Sequence, residues 1–127
     1  MELNEYQERA MGTCMPSSEN FSYMFLNLVG EVGEFASKIA KAIRRERLFI
    51  GNECESNVLS VKYDHHCTEE HFQLKDELQK EAGDILWQLS GLCNVMGWSL
   101  EDVAQQNLDK LASRQQRNVI DGSGDNR

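Results

Sequence analysis

A chain of 127 residues, 40% apolar and 27% charged, has room for one modest hydrophobic core and is expected to form one domain. Its net charge of -8 leaves no basic footprint for a nucleic-acid polymer, and no run of 18 or more apolar residues is available for a membrane span. The acidity does not exclude a phosphorylated small ligand, because a bound cation reverses the local field. The polar opening MELNEYQERA has no signal- or transit-peptide character, so a cytoplasmic location is expected. The four cysteines, Cys14, Cys54, Cys67 and Cys93, include no CxxC, and a disulfide framework is not expected.

The single proline, Pro16, lies between a short first helix, about residues 2–14, and a longer second one. The second helix is expected to start near Ser18 to Asn20, where capping side chains occur. Phe25, Leu28, Val29, Val32, Phe35, Ala36, Ile39, Ala40 and Ile43 then recur at steps of three and four, as the core face of a helix does. The helix fades in the basic run Arg44, Arg45, Arg47. Residues 48–68 lose the period and read as a loop, with VLSVKY a possible short strand. A third helix is predicted from about Thr68 to Met96, with Leu78, Ala82, Ile85, Leu89, Leu92 and Met96 as its apolar stripe. Gly97 and Trp98 end it. Ser99 caps a fourth helix, with Asp102 in capping-box style, and Leu100, Val103, Ala104, Leu108 and Leu111 form its apolar side. The last residues, NVIDGSGDNR, read as a polar tail. The fold class is therefore all-α, a four-helix bundle-like protomer.

Two short stretches break the pattern of buried helix. Glu31-Val-Gly-Glu34 and Glu81-Ala-Gly-Asp84 each place two acids three residues apart, within about 60° on one helix face. Lys38 falls on the same face one turn on. Two such pairs across a bundle are very unfavourable without a compensating cation, and oxygen-rich sets of this kind suit Mg²⁺ or Mn²⁺. Gly33 and Gly83 each cost a helix about 1 kcal/mol relative to alanine, which suggests close approach of a neighbouring helix or ligand. The plainer alternative is two solvated faces with incidental glycines. A ferritin-like di-iron site needs Glu-x-x-His, and no glutamate here has histidine three positions later.

GEVGE, KEAGDILWQL and NLDKLASR resemble the MazG-like nucleotide pyrophosphohydrolases of the all-α NTP pyrophosphatase superfamily. Glu31-x-x-Glu34 and Glu81-x-x-Asp84 match the family's ExxE and ExxD, and Asn107, Lys110 and Arg114 match its Asn-x-x-Lys-x-x-x-Arg run. NEYQ and GSGDNR resemble compact single-domain members, including phage-type proteins, and the likeness covers nearly the whole chain as one MazG-like domain. It implies hydrolysis of a nucleoside triphosphate to monophosphate and pyrophosphate, for nucleotide-pool control, in the cytoplasm (the host's, for a phage protein). It implies Mg²⁺, with Mn²⁺ a possible substitute, held by Glu31, Glu34, Glu81 and Asp84. It implies a homodimer or homotetramer with sites at the subunit interface.

Within that resemblance, Glu34 and Glu31 are the catalytic candidates, Glu34 by its position as general base toward water. Lys38 is a candidate phosphate contact or an i,i+4 partner of Glu34. Asn107, Lys110 and Arg114 are read as one face of the fourth helix, opposite its leucines, and as phosphate donors. Trp87 stacks on a base or belongs to the core. Asn20 and Tyr23 are candidates for reading base or sugar. Asp125, Asn126 and Arg127 either close over a site, in a neighbouring subunit, or fray. The acid motifs are separated by residues 35–80, longer than is usual in the family. The added loop carries Cys54, His65, His66, Cys67 and His71; it is read as a cover over the nucleotide, an oligomer contact or polar surface, and as a zinc site its spacing fits no regular finger. Two readings compete: strict selectivity for dUTP, dCTP or dGTP, and a non-catalytic nucleotide-binding helical oligomer. Metal dependence separates the last from the enzyme.

Overall fold

The computed structural model describes residues 1–45 and 68–122. The described residues form four α-helices and one 3-10 turn: α1 Leu3–Met11, the turn Pro16–Ser18, α2 Phe21–Arg44, α3 Thr68–Val95 and α4 Leu100–Gln116. No strand occurs among them, and none of the described helices is long and apolar enough to cross a membrane. The all-α class and the helix order agree with the expectation from periodicity. The VLSVKY reading, the Cys54/His65/His66/Cys67 cluster, and Asp125 and Arg127 fall outside the described residues.

The chain divides into two compact units, residues 1–21 with 90–127, and residues 22–89. The first unit is closed by amide side chains reaching across some ninety residues of sequence. Gln7 Nε2 donates to the Trp98 carbonyl at 3.0 Å, and Gln7 Oε1 accepts from the Leu100 N–H at 2.7 Å. Asn4 Oδ1 accepts from the Ser99 hydroxyl at 2.8 Å and from the Glu101 N–H at 3.2 Å. These bonds take up N–H groups that the first turn of α4 leaves without helical partners. Ser99 does the same from its own side, its Oγ accepting from the Asp102 N–H at 3.2 Å, as its capping sequence predicted. Ala10, Cys93 and Leu100 are buried in this unit.

Helices α3 and α4 end alike. Gly97 takes φ +69°, and the Trp98 N–H donates to the Cys93 carbonyl at 2.8 Å. Asn118 takes φ +55°, and the Val119 N–H donates to the Arg114 carbonyl at 3.0 Å. Each is a left-handed stop of the kind that glycine and asparagine tolerate best.

The expected apolar stripes are only partly covered. On α2, Met24 and Ala42 are buried, whereas Phe25, Val29, Val32 and Ile43 of the predicted core stripe are exposed, and Leu26 beside them is 68% exposed. On α3 the buried positions include Glu81, Gln88 and Ser90, while Leu89 and Met96 of the predicted stripe are exposed. On α4, Leu100 is buried but Leu108 and Leu111 are exposed. The covered faces are mixed: Leu28, Phe35 and Ile39 of α2 and Leu78 and Ile85 of α3 are partly covered beside Glu31, Lys38, Glu81 and Gln88, which leaves the other apolar side chains exposed.

Candidate functional site

Within residues 22–89, α2 and α3 run antiparallel and set two polar stripes against each other. Asn27, Glu31, Glu34 and Lys38 recur on α2 at steps of four, three and four, and so share one face within about 60°. Glu77, Glu81, Asp84 and Gln88 do the same on α3. As the numbers fall along α2 they rise along α3. Lys38 Nζ lies 3.1 Å from Glu81 Oε1 and 3.6 Å from Glu77 Oε2. One oxygen each of Glu31, Glu34 and Glu81 then lies within 4.8 Å of the others.

The three acids differ in exposure: Glu81 is buried, Glu31 half-buried and Glu34 exposed. Burial holds the Glu31 carboxyl above the usual carboxylate range, and the negative charges of Asp84, Glu34 and Glu81 push it the same way. Asn27 opposes this, its Nδ2 donating to Glu31 Oε1 at 3.0 Å. The Lys38 ammonium is held more firmly protonated by the hydrogen bond to Glu81 and by the nearby charges of Glu81 and Glu77. The site is thus an anionic trio with one cation at its edge. A trio of oxygen ligands at this spacing fits a hard divalent cation. Asp84 is exposed and stands outside the trio, though near enough to act on Glu31.

The remaining sequence candidates fall into two groups. Trp87 is half-buried on α3, and Tyr23 is exposed in the first turn of α2. Lys38 makes its ion pairs, among the described residues, with Glu77 and Glu81 across the helix pair and not with Glu34 along its own helix. Asn20, Asn107, Lys110 and Arg114 belong to the other compact unit. There, Asn107 and Lys110 line a cleft of about 520 Å³ together with Trp98, Asp102 and Gln106. The amide of Asn20 donates to the Ser17 carbonyl at 3.1 Å.

Two expectations need correction. Asn107 and Arg114 do not lie opposite the leucines of α4. Seven and fourteen residues after Leu100 they return to within about 40° of it, and Arg114 is buried. Gly33 and Gly83 are not required for close approach of α2 and α3. A Cβ built at either position meets no atom within 4 Å, because each glycine sits on the side of its helix turned away from the acid stripe. Asn27, Glu77 and Gln88 were missed by sequence reasoning. Their signal was present as polar residues one turn from Glu31, Glu81 and Asp84 on the same faces.

The MazG nucleotide pyrophosphohydrolase domain matches residues 19–119, which contain all of the acid pairs. The Gene 37 protein of Mycobacterium phage L5 is 40% identical over 116 residues, covering 91% of this chain and 83% of the phage protein. No solved structure matches the chain. Matched along most of its length, with both acidic motifs inside the match, the chain belongs to the MazG nucleotide pyrophosphohydrolase family, whose members are divalent-metal-dependent hydrolases of nucleoside triphosphates.

Proposed function

We propose that this chain cleaves the α–β linkage of a nucleoside or deoxynucleoside triphosphate, giving the monophosphate and pyrophosphate, and serves nucleotide-pool control. The observation that carries the reading is the convergence of Glu31, Glu34 and Glu81 from two helices, with Lys38 beside them. Glu31, Glu34 and Glu81, joined by Asp84, would hold Mg²⁺, with Mn²⁺ able to replace it. The cation supplies neutralisation of phosphate charge and a lowered pKa for attacking water.

The chain's own groups divide the remaining work. Glu34 is the exposed acid of the trio and is assigned as the base. Its carboxylate takes the proton of a water whose oxygen adds to phosphorus as the bridging bond breaks. Glu31, fixed by the amide of Asn27, is assigned to orient Glu34 and the cation. Lys38 is already paired with two acids and is available to exchange Glu77 for a phosphate oxygen. Asn107, Lys110 and Arg114 are assigned as donors to phosphate on the Asn-x-x-Lys-x-x-x-Arg run that they form. Trp87, Asn20 and Tyr23 are assigned to base or sugar, and Asp125 and Arg127 to closure over bound nucleotide.

The same reading includes assembly as a homodimer or homotetramer. Its support is the run of exposed apolar side chains on α2, where Phe25, Leu26, Val29 and Val32 are each about half exposed or more. Val29→Asp is expected to lower the mass measured by light scattering to that of one chain. An unchanged mass above one chain places the interface elsewhere.

The activity is tested by incubating the protein with each of the eight common NTPs and dNTPs and Mg²⁺, and resolving the products. Monophosphate and pyrophosphate are expected, with turnover stopped by EDTA. Diphosphate and orthophosphate would reject α–β cleavage. Glu34→Ala is expected to reduce turnover at least ~100-fold while keeping the helical circular dichroism signal. Turnover at the wild-type rate would remove Glu34 from the mechanism.

A further inference from the structure

Gln88 is 3% exposed, and its Oε1 is buried and accepts no hydrogen bond among the described residues. A buried amide oxygen left without a donor is costly, and native proteins rarely keep one without a reason. Gln88 also stands at a particular place. It follows Asp84 by one turn of α3 and lies within about 20° of Glu81 around the helix axis.

The antiparallel register gives that place its meaning. Lys38 meets Glu77 and Glu81 at one end of the seam, and Glu31, Glu34, Glu81 and Asp84 occupy its middle. One turn further along both helices come Asn27 and Gln88. The seam therefore runs from a cation, through carboxylates, to two neutral amides. A triphosphate and its cation match the charged part. The neutral end offers a buried acceptor, which suits an uncharged N–H or O–H donor better than a phosphate oxygen.

We infer that Gln88 is a specificity-determining residue, its Oε1 accepting a hydrogen bond from the nucleoside part of the substrate, either a ring or exocyclic N–H of the base or a sugar hydroxyl. The inference rests on the pyrophosphohydrolase reading and adds to it the direction in which the nucleotide lies: phosphates toward Lys38, nucleoside toward Gln88. An acceptor already stripped of water discriminates strongly, because a ligand lacking the donor leaves it unpaired. Asn27 is committed through its Nδ2 to Glu31, which ties the amide end of the seam to the acids.

The test compares wild type with Gln88→Met, which keeps the side-chain length and removes the acceptor. Values of kcat and KM are measured with Mg²⁺ for the eight common nucleotides and for 2′,3′-dideoxy analogues. Mn²⁺ affinity is measured without nucleotide by electron paramagnetic resonance. KM for the preferred nucleotide is expected to rise ~10-fold or more, with kcat within ~3-fold. Mn²⁺ affinity should be unchanged and the melting temperature not lowered. Flattened preference among bases assigns the donor to the base; lost discrimination against the dideoxy analogue assigns it to the sugar. Unchanged KM and preference overturn the inference. Loss of Mn²⁺ affinity overturns it as well, since Gln88 would then act only on the acids. If Gln88→Met does not fold, Gln88→Asn, one methylene shorter, is read by the same criteria. A wild type that turns over no nucleotide refutes the pyrophosphohydrolase reading together with this inference; failure of the inference alone leaves wild-type turnover intact.

Discussion

Glu31→Gln is expected to stabilise the metal-free protein, although it removes a residue assigned to the site. Oxygens of Glu31, Glu34 and Glu81 lie within 4.8 Å of one another. Two unit charges at that separation repel by about 0.9 kcal/mol in bulk water and about 3.5 kcal/mol at an effective dielectric constant of 20. Glu31 takes part in two of the three pairs and also feels Asp84. Lys38 offsets part of this through Glu81, and Glu34 is well screened by solvent, so a net gain of about 1 to 3 kcal/mol is expected for the variant. The amide oxygen of the new side chain still accepts from Asn27, so that bond is kept. In EDTA, thermal melts at fixed protein concentration should show the variant higher by about 4 °C or more. Saturating Mn²⁺ should reverse the order. At one hundred times its dissociation constant, a cation adds about 2.7 kcal/mol to the form that binds it, and the variant has lost one ligand. The reasoning fails if the variant melts below wild type in EDTA, or if Mn²⁺ raises both proteins equally.

The pH dependence follows from the same group. Glu31 has its folded-state pKa raised, so its contribution to stability is fully present below the ordinary carboxylate range and is lost as pH rises through the folded value. In EDTA, the gap between Glu31→Gln and wild type should therefore close as pH falls from 8 toward about 4; a gap that widens would show that Glu31 is stabilised as the anion. Gly83→Ala should stabilise α3 by up to about 1 kcal/mol, read as a higher denaturation midpoint with an unchanged slope. A loss of stability there would mean that a second copy of the chain packs against the glycine. Gln7→Met should cost about 1 to 2 kcal/mol in urea unfolding, because the Leu100 N–H and the Trp98 carbonyl both lose a partner. A change below about 0.3 kcal/mol would show that water replaces the amide at both positions.

The helices were legible in the sequence because their ends carry local signals. Ser99 with Asp102, Gly97 and Pro16 act through their own backbone and nearest neighbours, and the observed boundaries of α3 and α4 follow them closely. The acid pairs were legible because a three-residue spacing fixes two side chains on one face whatever surrounds the helix. Which face is covered is not a local property. The apolar periodicity of α2 predicted a buried stripe, yet Val29 and Val32 face outward and the polar stripe of Glu31 faces α3. Hydropathy counts apolar residues but does not say whether this chain or another copy covers them. Lys38 shows the same limit on a smaller scale. Spacing offered Glu34 as its partner, and the packing of α2 against α3 gave it Glu77 and Glu81. Gln88 stood in the sequence as a polar residue one turn from Asp84, but its unpartnered oxygen is visible only in coordinates.

The amide clasp between α1 and the start of α4 has a consequence for how the chain is made. Asn4 and Gln7 leave the ribosome early, but their partners Trp98, Ser99, Leu100 and Glu101 follow more than ninety residues later. At about 5 to 20 residues per second, that delay is roughly 5 to 20 s. Residues 22–89 are contiguous, so both acid-bearing helices are synthesised within this interval. The amino-terminal helix must wait, and nine residues are too few for a stable helix in isolation. The order of synthesis thus makes α2 and α3 available to each other before α1 can meet α4. The segment that carries Asn4 and Gln7 is made well before residues 98–101 and can close its bonds only after them.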